Sequence, residues 1–232
     1  MSEKSFTECN DNDIGDEPGS FSMDEEDQGR ADLFALCARL LLSPPDAEFL
    51  ALLTGAAATN ALPRATRLDR AWADLVLHAR SSTLPAITDE FDRLFISTGT
   101  PIVNPNASVY LAGFMHEKPL AALREELAGI GLARRPGRGE VEDHLAVLCE
   151  IMRVMIAGDS TALRQPLARQ QHFFETHIGS WYARCLDDIA KASAGGFYAR
   201  VAELVAAFFE IETEAFRFNI VPDTAAILEN AE

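Results

Sequence analysis

The sequence predicts an all-α fold: a helical bundle of two subdomains joined by a hinge. Three observations carry this. Apolar residues make up 48% of the 232-residue chain, and Ala and Leu, both good helix formers, dominate that share. In window after window those residues recur at i, i+3, i+4 and i+7, the spacing of one helical face. The β-branched and aromatic residues that favour strands are sparse outside short stretches.

Taken in order, residues 1–29 hold Asp, Glu, Ser, Asn and Gly with almost no periodic apolar positions. Such a segment cannot bury enough surface to offset its ordering entropy, and it reads as a disordered acidic tail. Helical patterning begins at Ala31, with Leu33, Leu36, Cys37, Leu40 and Leu41 on one face, and Pro44 and Pro45 stop it. Asp46 to Leu53 read as a short second helix ending at Gly55. A third helix follows from Ala65 to Ala79, and Pro85 opens a fourth through Ile87, Phe91, Leu94 and Phe95. The stretch STGTPIVNPNAS is too rich in turn formers, and too long, for a simple connection. Long ordered loops of this kind are disproportionately functional.

Helical pattern resumes near Pro119 and runs through Leu120, Leu123, Leu127 and Ile130. The breaker segment GLARRPGRG, Gly131 to Gly139, is the expected hinge. After it, Val141 to Ile156 place Leu145, Leu148, Cys149, Met152 and Met155 on one face. Leu167 to Leu186 form a long helical stretch broken at Gly179, and Phe197 to Phe218 form the last helix. The expected division is therefore a tail over 1–29, an N-terminal subdomain over 30–130, a hinge over 131–139, a C-terminal subdomain over 140–220 and a second tail over 221–232.

A formal net charge of −16 sets the chain against nucleic acid and anionic membranes and in favour of cationic ligands. The one dense basic segment, Arg134, Arg135 and Arg138, reads as a solvated loop. Arg134-Arg135 is no export signal, because no apolar run follows it. None of the four cysteines (Cys9, Cys37, Cys149 and Cys185) forms a Cys-x-x-Cys pair or a zinc spacing. The acidic first thirty residues lack the apolar core of a signal peptide, and no apolar run is long enough to span a bilayer. A cytoplasmic protein without stable membrane insertion is expected.

The densest polar cluster is Glu140-Val141-Glu142-Asp143-His144, ahead of an apolar helix and beside the hinge. Carboxylates there suit the positive end of a helix dipole, so capping competes with function for Glu140 and Glu142. Asp143 and His144 offer a carboxylate beside an imidazole and are expected to face the joint between halves, with the apolar face of the helix already supplying the core. A dimetal helical bundle would need two Glu-x-x-His pairs from different helices. Here Glu140 and His144 stand at i, i+4 and no such pair exists. No P-loop, dinucleotide-binding glycine pattern or Gly-x-Ser-x-Gly elbow is present. The residues describe a binding protein rather than an enzyme, with no metal or cofactor of its own. Two alternatives remain beside it: a helical scaffold or regulator, and a metal-dependent helical-bundle enzyme.

EFDRLF (Glu90 to Phe95), PNASVYL (Pro105 to Leu111) and EVEDH (Glu140 to His144), in this order and spacing, resemble the TorD-like redox-enzyme maturation chaperones. LLLSPPDAEFL, HFFETHIGSWYARCL (with His177 and Trp181) and FYARVAELVAAFFEIE extend the resemblance from about Ala31 to Glu212. It implies an all-helical fold in two subdomains. It also implies binding of the twin-arginine signal peptide of a molybdenum- or tungsten-containing oxidoreductase, whose precursor is retained until its cofactor is in place. Carried over residue by residue, the family's Asp-His pair falls on Asp143 and His144. Its acidic-aromatic helix falls on Glu90, Phe91, Leu94 and Phe95, and its loop on Pro105, Ser108 and Tyr110. With Glu140 from the polar cluster, these are the expected client-binding residues. Val141 departs from the pattern by standing where the family usually has proline. A monomer or a domain-swapped dimer fits a hinge of this kind.

Overall fold

The computed structural model describes residues 24–58, 65–96, 100–114, 118–133, 140–158 and 163–218. Among them are ten α-helices and no strand: α1 Glu25–Leu42, α2 Ala47–Gly55, α3 Arg67–Ser81, α4 Leu84–Phe91, α5 Ala107–Ala112, α6 Lys118–Gly129, α7 Leu145–Ala157, α8 Leu167–Phe174, α9 Tyr182–Ser193 and α10 Phe197–Phe218. Two π-helical turns, Asp92–Ile96 and Glu175–Gly179, continue α4 and α8. The all-α expectation holds.

Local chemistry sets the ends of these helices. Thr66 and Asp69 form a reciprocal capping box at the start of α3. Asp46 accepts the Phe49 N–H at 2.8 Å to start α2. At the end of α6, Leu132 N–H returns to Leu127 O and Gly131 N–H to Ala128 O. That paired closure requires a left-handed residue, and Gly131 takes it at φ 76°.

One contiguous core joins helices from both sides of the breaker segment: Phe34, Leu40, Leu75, Phe91, Leu148, Met152, Phe173, Trp181 and Phe209 all belong to it. α1 packs along α7, and α10 packs on both α3 and α9. Aromatic edges knit the centre, as with Phe34 against Phe208 at 4.8 Å and Phe174 against Phe209 at 5.4 Å. Cys37, Cys149 and Cys185 are free and buried within it, and burial pushes the Cys37 thiol up to about 12.

Three boundaries differ from expectation. α1 begins at Glu25 rather than near Ala31, so 25–29 are helix and not tail. Asp24 caps it, Glu25, Glu26 and Asp27 suit the dipole of the first turn, and Arg30 forks onto buried Glu212 at 2.9 and 2.8 Å. The turn-rich stretch expected as loop ends in helix α5, begun by Ala107. α7 begins at Leu145 rather than Val141, because His144 is its cap. Residues 1–23, 134–139 (with Arg134, Arg135 and Arg138) and 219–232, parts of the expected tails and hinge, lie outside the described residues, as does Cys9.

Candidate client-binding site

The PNAS and EDH segments, remote in sequence, meet through a short antiparallel bridge between Asn106 and His144. Ala107 N–H donates to Asp143 O at 2.9 Å, and Leu145 N–H donates to Pro105 O at 2.8 Å. The Asp143 carboxylate then closes the joint. Its Oδ1 accepts from Asn106 Nδ2 at 3.0 Å, and its Oδ2 accepts from Ser108 N–H at 2.9 Å and Ser108 Oγ at 2.5 Å. Asn106 supplies no cap to α5 with its own side chain, so Asp143 performs that task from the turn ahead of α7.

Asp143 is 1% exposed and His144 7%. Both are therefore inside the fold, which corrects the expectation that they face the joint and not the core. Three donors converge on Asp143, and a carboxylate so surrounded leaves water without loss of partners. His144 Nδ1 accepts the Ala146 N–H at 3.1 Å, which a neutral ring with its proton on Nε2 can do. Burial drives its pKa from 6.5 to about 4, although the Asp143 charge pulls the other way. Buried Glu142 holds the Arg124 fork at 3.1 and 2.9 Å, and Glu140 is exposed.

Tyr110 extends the site from α5 to α9. Its ring stacks on Trp181 at 5.4 Å, its hydroxyl donates to Asp188 at 3.0 Å, and its carbonyl accepts from Arg184 at 2.8 Å. Trp181 donates to His177 O at 2.6 Å, and His177 Nε2 lies 2.7 Å from Glu126. A cavity of about 200 Å³ opens between these elements, lined by Ala107, Leu111, Leu123, Asp143, Leu148 and His177 among others.

The second expected group lies at the far end of α9. Glu90 accepts from Ser193 Oγ at 2.5 Å and from the Phe197 and Tyr198 N–H groups at 2.9 and 3.2 Å, capping α10 from outside. Phe91 and Leu94 are core residues, 4% and 0% exposed. Half-buried Phe95 packs on Phe91 at 5.0 Å and on Tyr198 at 5.4 Å. The two groups are tied by Val103 N–H donating to Leu94 O at 3.0 Å. The structure thus gathers Pro105, Ser108, Tyr110, Asp143 and His144, and sets Glu90, Phe91, Leu94 and Phe95 apart from them.

Asn106, Arg184, Asp188 and Glu126 take part in this network without having been singled out in the sequence. Asn106 stands inside the PNAS motif and was legible there. The other three are ordinary helix-surface residues whose partners come from distant segments. Also beyond sequence patterning are the exposed Ile96, Ile102, Leu111 and Phe114 (58, 57, 43 and 72%) along the segment between α4 and α6. Among the described residues no cluster of His, Cys, Asp or Glu could hold a metal ion, and no helix is long and apolar enough to cross a membrane.

A solved redox enzyme maturation protein from Archaeoglobus fulgidus shares the fold, with a TM-score of 0.51 at 18% identity over 84% of this chain and 99% of that one. Chaperone protein TorD of Vibrio atlanticus is 26% identical over 145 residues, 60% of this chain and 67% of the relative. The TorD chaperone of a Psychrobacter species is 26% identical over 195 residues, 80% and 87% of the two chains. The family model described as nitrate reductase delta subunit matches residues 61–187, which takes in α3 through α8 and the first half of α9, and with them both motif groups. With more than half of its length matched, the chain belongs to that TorD-like family.

Proposed function

We propose that the chain is a redox-enzyme maturation chaperone. On this reading it binds, in the cytoplasm, the twin-arginine signal peptide of a molybdenum- or tungsten-containing oxidoreductase and delays export until the cofactor is inserted. The observation that carries the reading is the set of exposed apolar side chains, Ile102, Leu111 and Phe114, on a segment strapped to buried Asp143. A soluble chain leaves such residues exposed on an ordered element at a cost that a partner offsets. The twin-arginine peptide has the matching chemistry: an apolar run to cover them and guanidiniums for a protein of charge −16.

The expected site residues divide by burial. Asp143, His144, Ser108, Pro105, Phe91 and Leu94 are buried and act as positioning residues. Tyr110 and Glu140 are at least partly exposed and stand with Leu111 and Phe114 as the client-facing set, while half-buried Glu90 and Phe95 belong to the separate group that caps and packs on α10. Covering roughly 400–600 Å² of apolar surface yields about 10–15 kcal/mol gross, and ordering a peptide offsets much of it. A micromolar affinity, about −8 kcal/mol, suits a partner that must be released.

The test is affinity capture from native cells with the full chain, followed by mass spectrometry, and titration with the captured protein's N-terminal peptide. A cofactor-bearing oxidoreductase precursor with an intact Arg-Arg signal is the expected client, and Leu111→Ser with Phe114→Ser should weaken its peptide at least about tenfold. Equal binding of a peptide with both arginines replaced by glutamine would return the chain to the scaffold reading.

A further inference from the structure

α5 is a helix of six residues, Ala107–Ala112, far short of the length that holds itself together in water. Asp143 fixes its first turn. Exposed Leu111 and Phe114 depend for their direction on what fixes the other end.

That end rests on one face of α9. Trp181 at the N-cap of α9, followed by Arg184, Cys185 and Asp188, stands at the i, i+3, i+4 and i+7 spacing of a single helical face. All four meet Tyr110. The buried Trp181 ring stacks on it with the planes 24° apart, and Trp181 is itself held by its bond to His177 O. The Arg184 guanidinium lies over the Tyr110 ring, 5.8 Å from its centroid. Asp188 accepts from the Tyr110 hydroxyl, beside the buried Cys185 thiol.

The bond to the Tyr110 carbonyl matters most. The last four carbonyls of a helix have no partner within it, and in α5 these belong to residues 109–112. Gly113 N–H closes Val109 O at 3.0 Å, and Arg184 Nη2 closes Tyr110 O at 2.8 Å. A cation at this end also suits the helix dipole. The ring contacts and the hydroxyl bond hold the Tyr110 side chain, about which the backbone can still pivot. Arg184 holds the backbone itself. A lysine would supply the charge, but only a planar guanidinium stacks on a ring and donates in a fixed direction at once.

We propose that Arg184 is a positioning residue for the client surface. With Asp188 it grips Tyr110 at both carbonyl and hydroxyl, and so fixes the direction of Leu111 and Phe114 before a client arrives. The proposal rests on the reading that those two side chains touch the client; Arg184 acts through them without touching it. A surface ordered in advance binds more tightly, because less freedom is lost on association.

Two measurements on the full chain test this. The first follows hydrogen exchange of the α5 amides by NMR, with no peptide present. Arg184→Met should quicken exchange at 109–112 at least about threefold, with α7 and α10 as protected as before. The thermal midpoint should barely move, because Arg184 is exposed, and Arg184→Lys should fall between wild type and Arg184→Met. The second titrates the captured client's N-terminal peptide. Arg184→Met should weaken it about three- to tenfold. In a chain already carrying Leu111→Ser and Phe114→Ser it should bring no further loss. Unchanged exchange in α5, unchanged affinity in Arg184→Met, or the same loss in both backgrounds, which would make Arg184 a direct contact, overturns the proposal. A wild-type chain without affinity for the peptide overturns the client reading instead, and the exchange of α5 still decides whether Arg184 sets that helix.

Discussion

His144 couples the fold to pH through a single nitrogen. Its Nδ1 accepts the Ala146 N–H, and burial lowers its pKa from 6.5 to about 4. The unfolded ring binds its proton near pH 6.5 and the folded ring only near 4, so between these values the unfolded state holds more protons. Stability from this residue is therefore full above about 6.5, falls as pH drops toward 4 and then levels off, a span of roughly 3 kcal/mol. Denaturant titrations across pH 4–7 should show this limb, and His144→Asn, which keeps a capping oxygen and does not titrate, should flatten it. Asp143 makes a complementary case. Asp143→Ala leaves Asn106 Nδ2, Ser108 N–H and Ser108 Oγ without their buried acceptor, at a cost of about 2–4 kcal/mol. A thermal midpoint lowered by several degrees is expected; an unchanged midpoint would show that water replaces the carboxylate.

At the scale of elements, helices in this fold are capped by residues of other helices. Glu90 of α4 serves the first amides of α10, and Gly196 leaves room for it: a Cβ at that position would overlap the Glu90 carboxylate. Gly196→Ala should displace Glu90 and destabilise by about 1–3 kcal/mol, as should Glu90→Ala, and the double variant should cost less than the sum of the two. Chemical denaturation of the three variants measures this cycle. α1, by contrast, is capped by its own preceding residue. A chain starting at Arg30 loses the Asp24 cap, the acidic first turn and the Asp27 partner of Arg30, and should melt several degrees below one starting at Asp24. Equal midpoints would mean that the first turn of α1 adds nothing to the bundle.

For the whole molecule, the charge of −16 acts at long range on any cationic client. Raising salt from low to physiological levels shortens the reach of that field to about 8 Å. Association with an arginine-bearing peptide should slow more than dissociation quickens, and stopped-flow traces at several ionic strengths separate the two. Salt-independent association would leave burial of the apolar side chains as the whole driving force. The core runs unbroken from Phe34 of α1 to Phe209 of α10, so α5 is carried by one packed body of described helices.

Periodicity made the helices legible from the residues alone: Leu145, Leu148, Cys149, Met152 and Met155 announced α7, and all five are buried. The resemblance carried by ordered motifs was equally legible, because it depends on residue identity and spacing. Burial of Asp143 and His144 was not. A polar pair ahead of an apolar helix reads as a surface cap until Asn106 and Ser108, from another segment, are seen to enclose it. The same holds for Glu90, whose partners lie more than a hundred residues away. Local sequence reports the face a residue takes within its own helix. The environment of a polar side chain is made by groups remote in sequence, and packing alone settles which of them arrive.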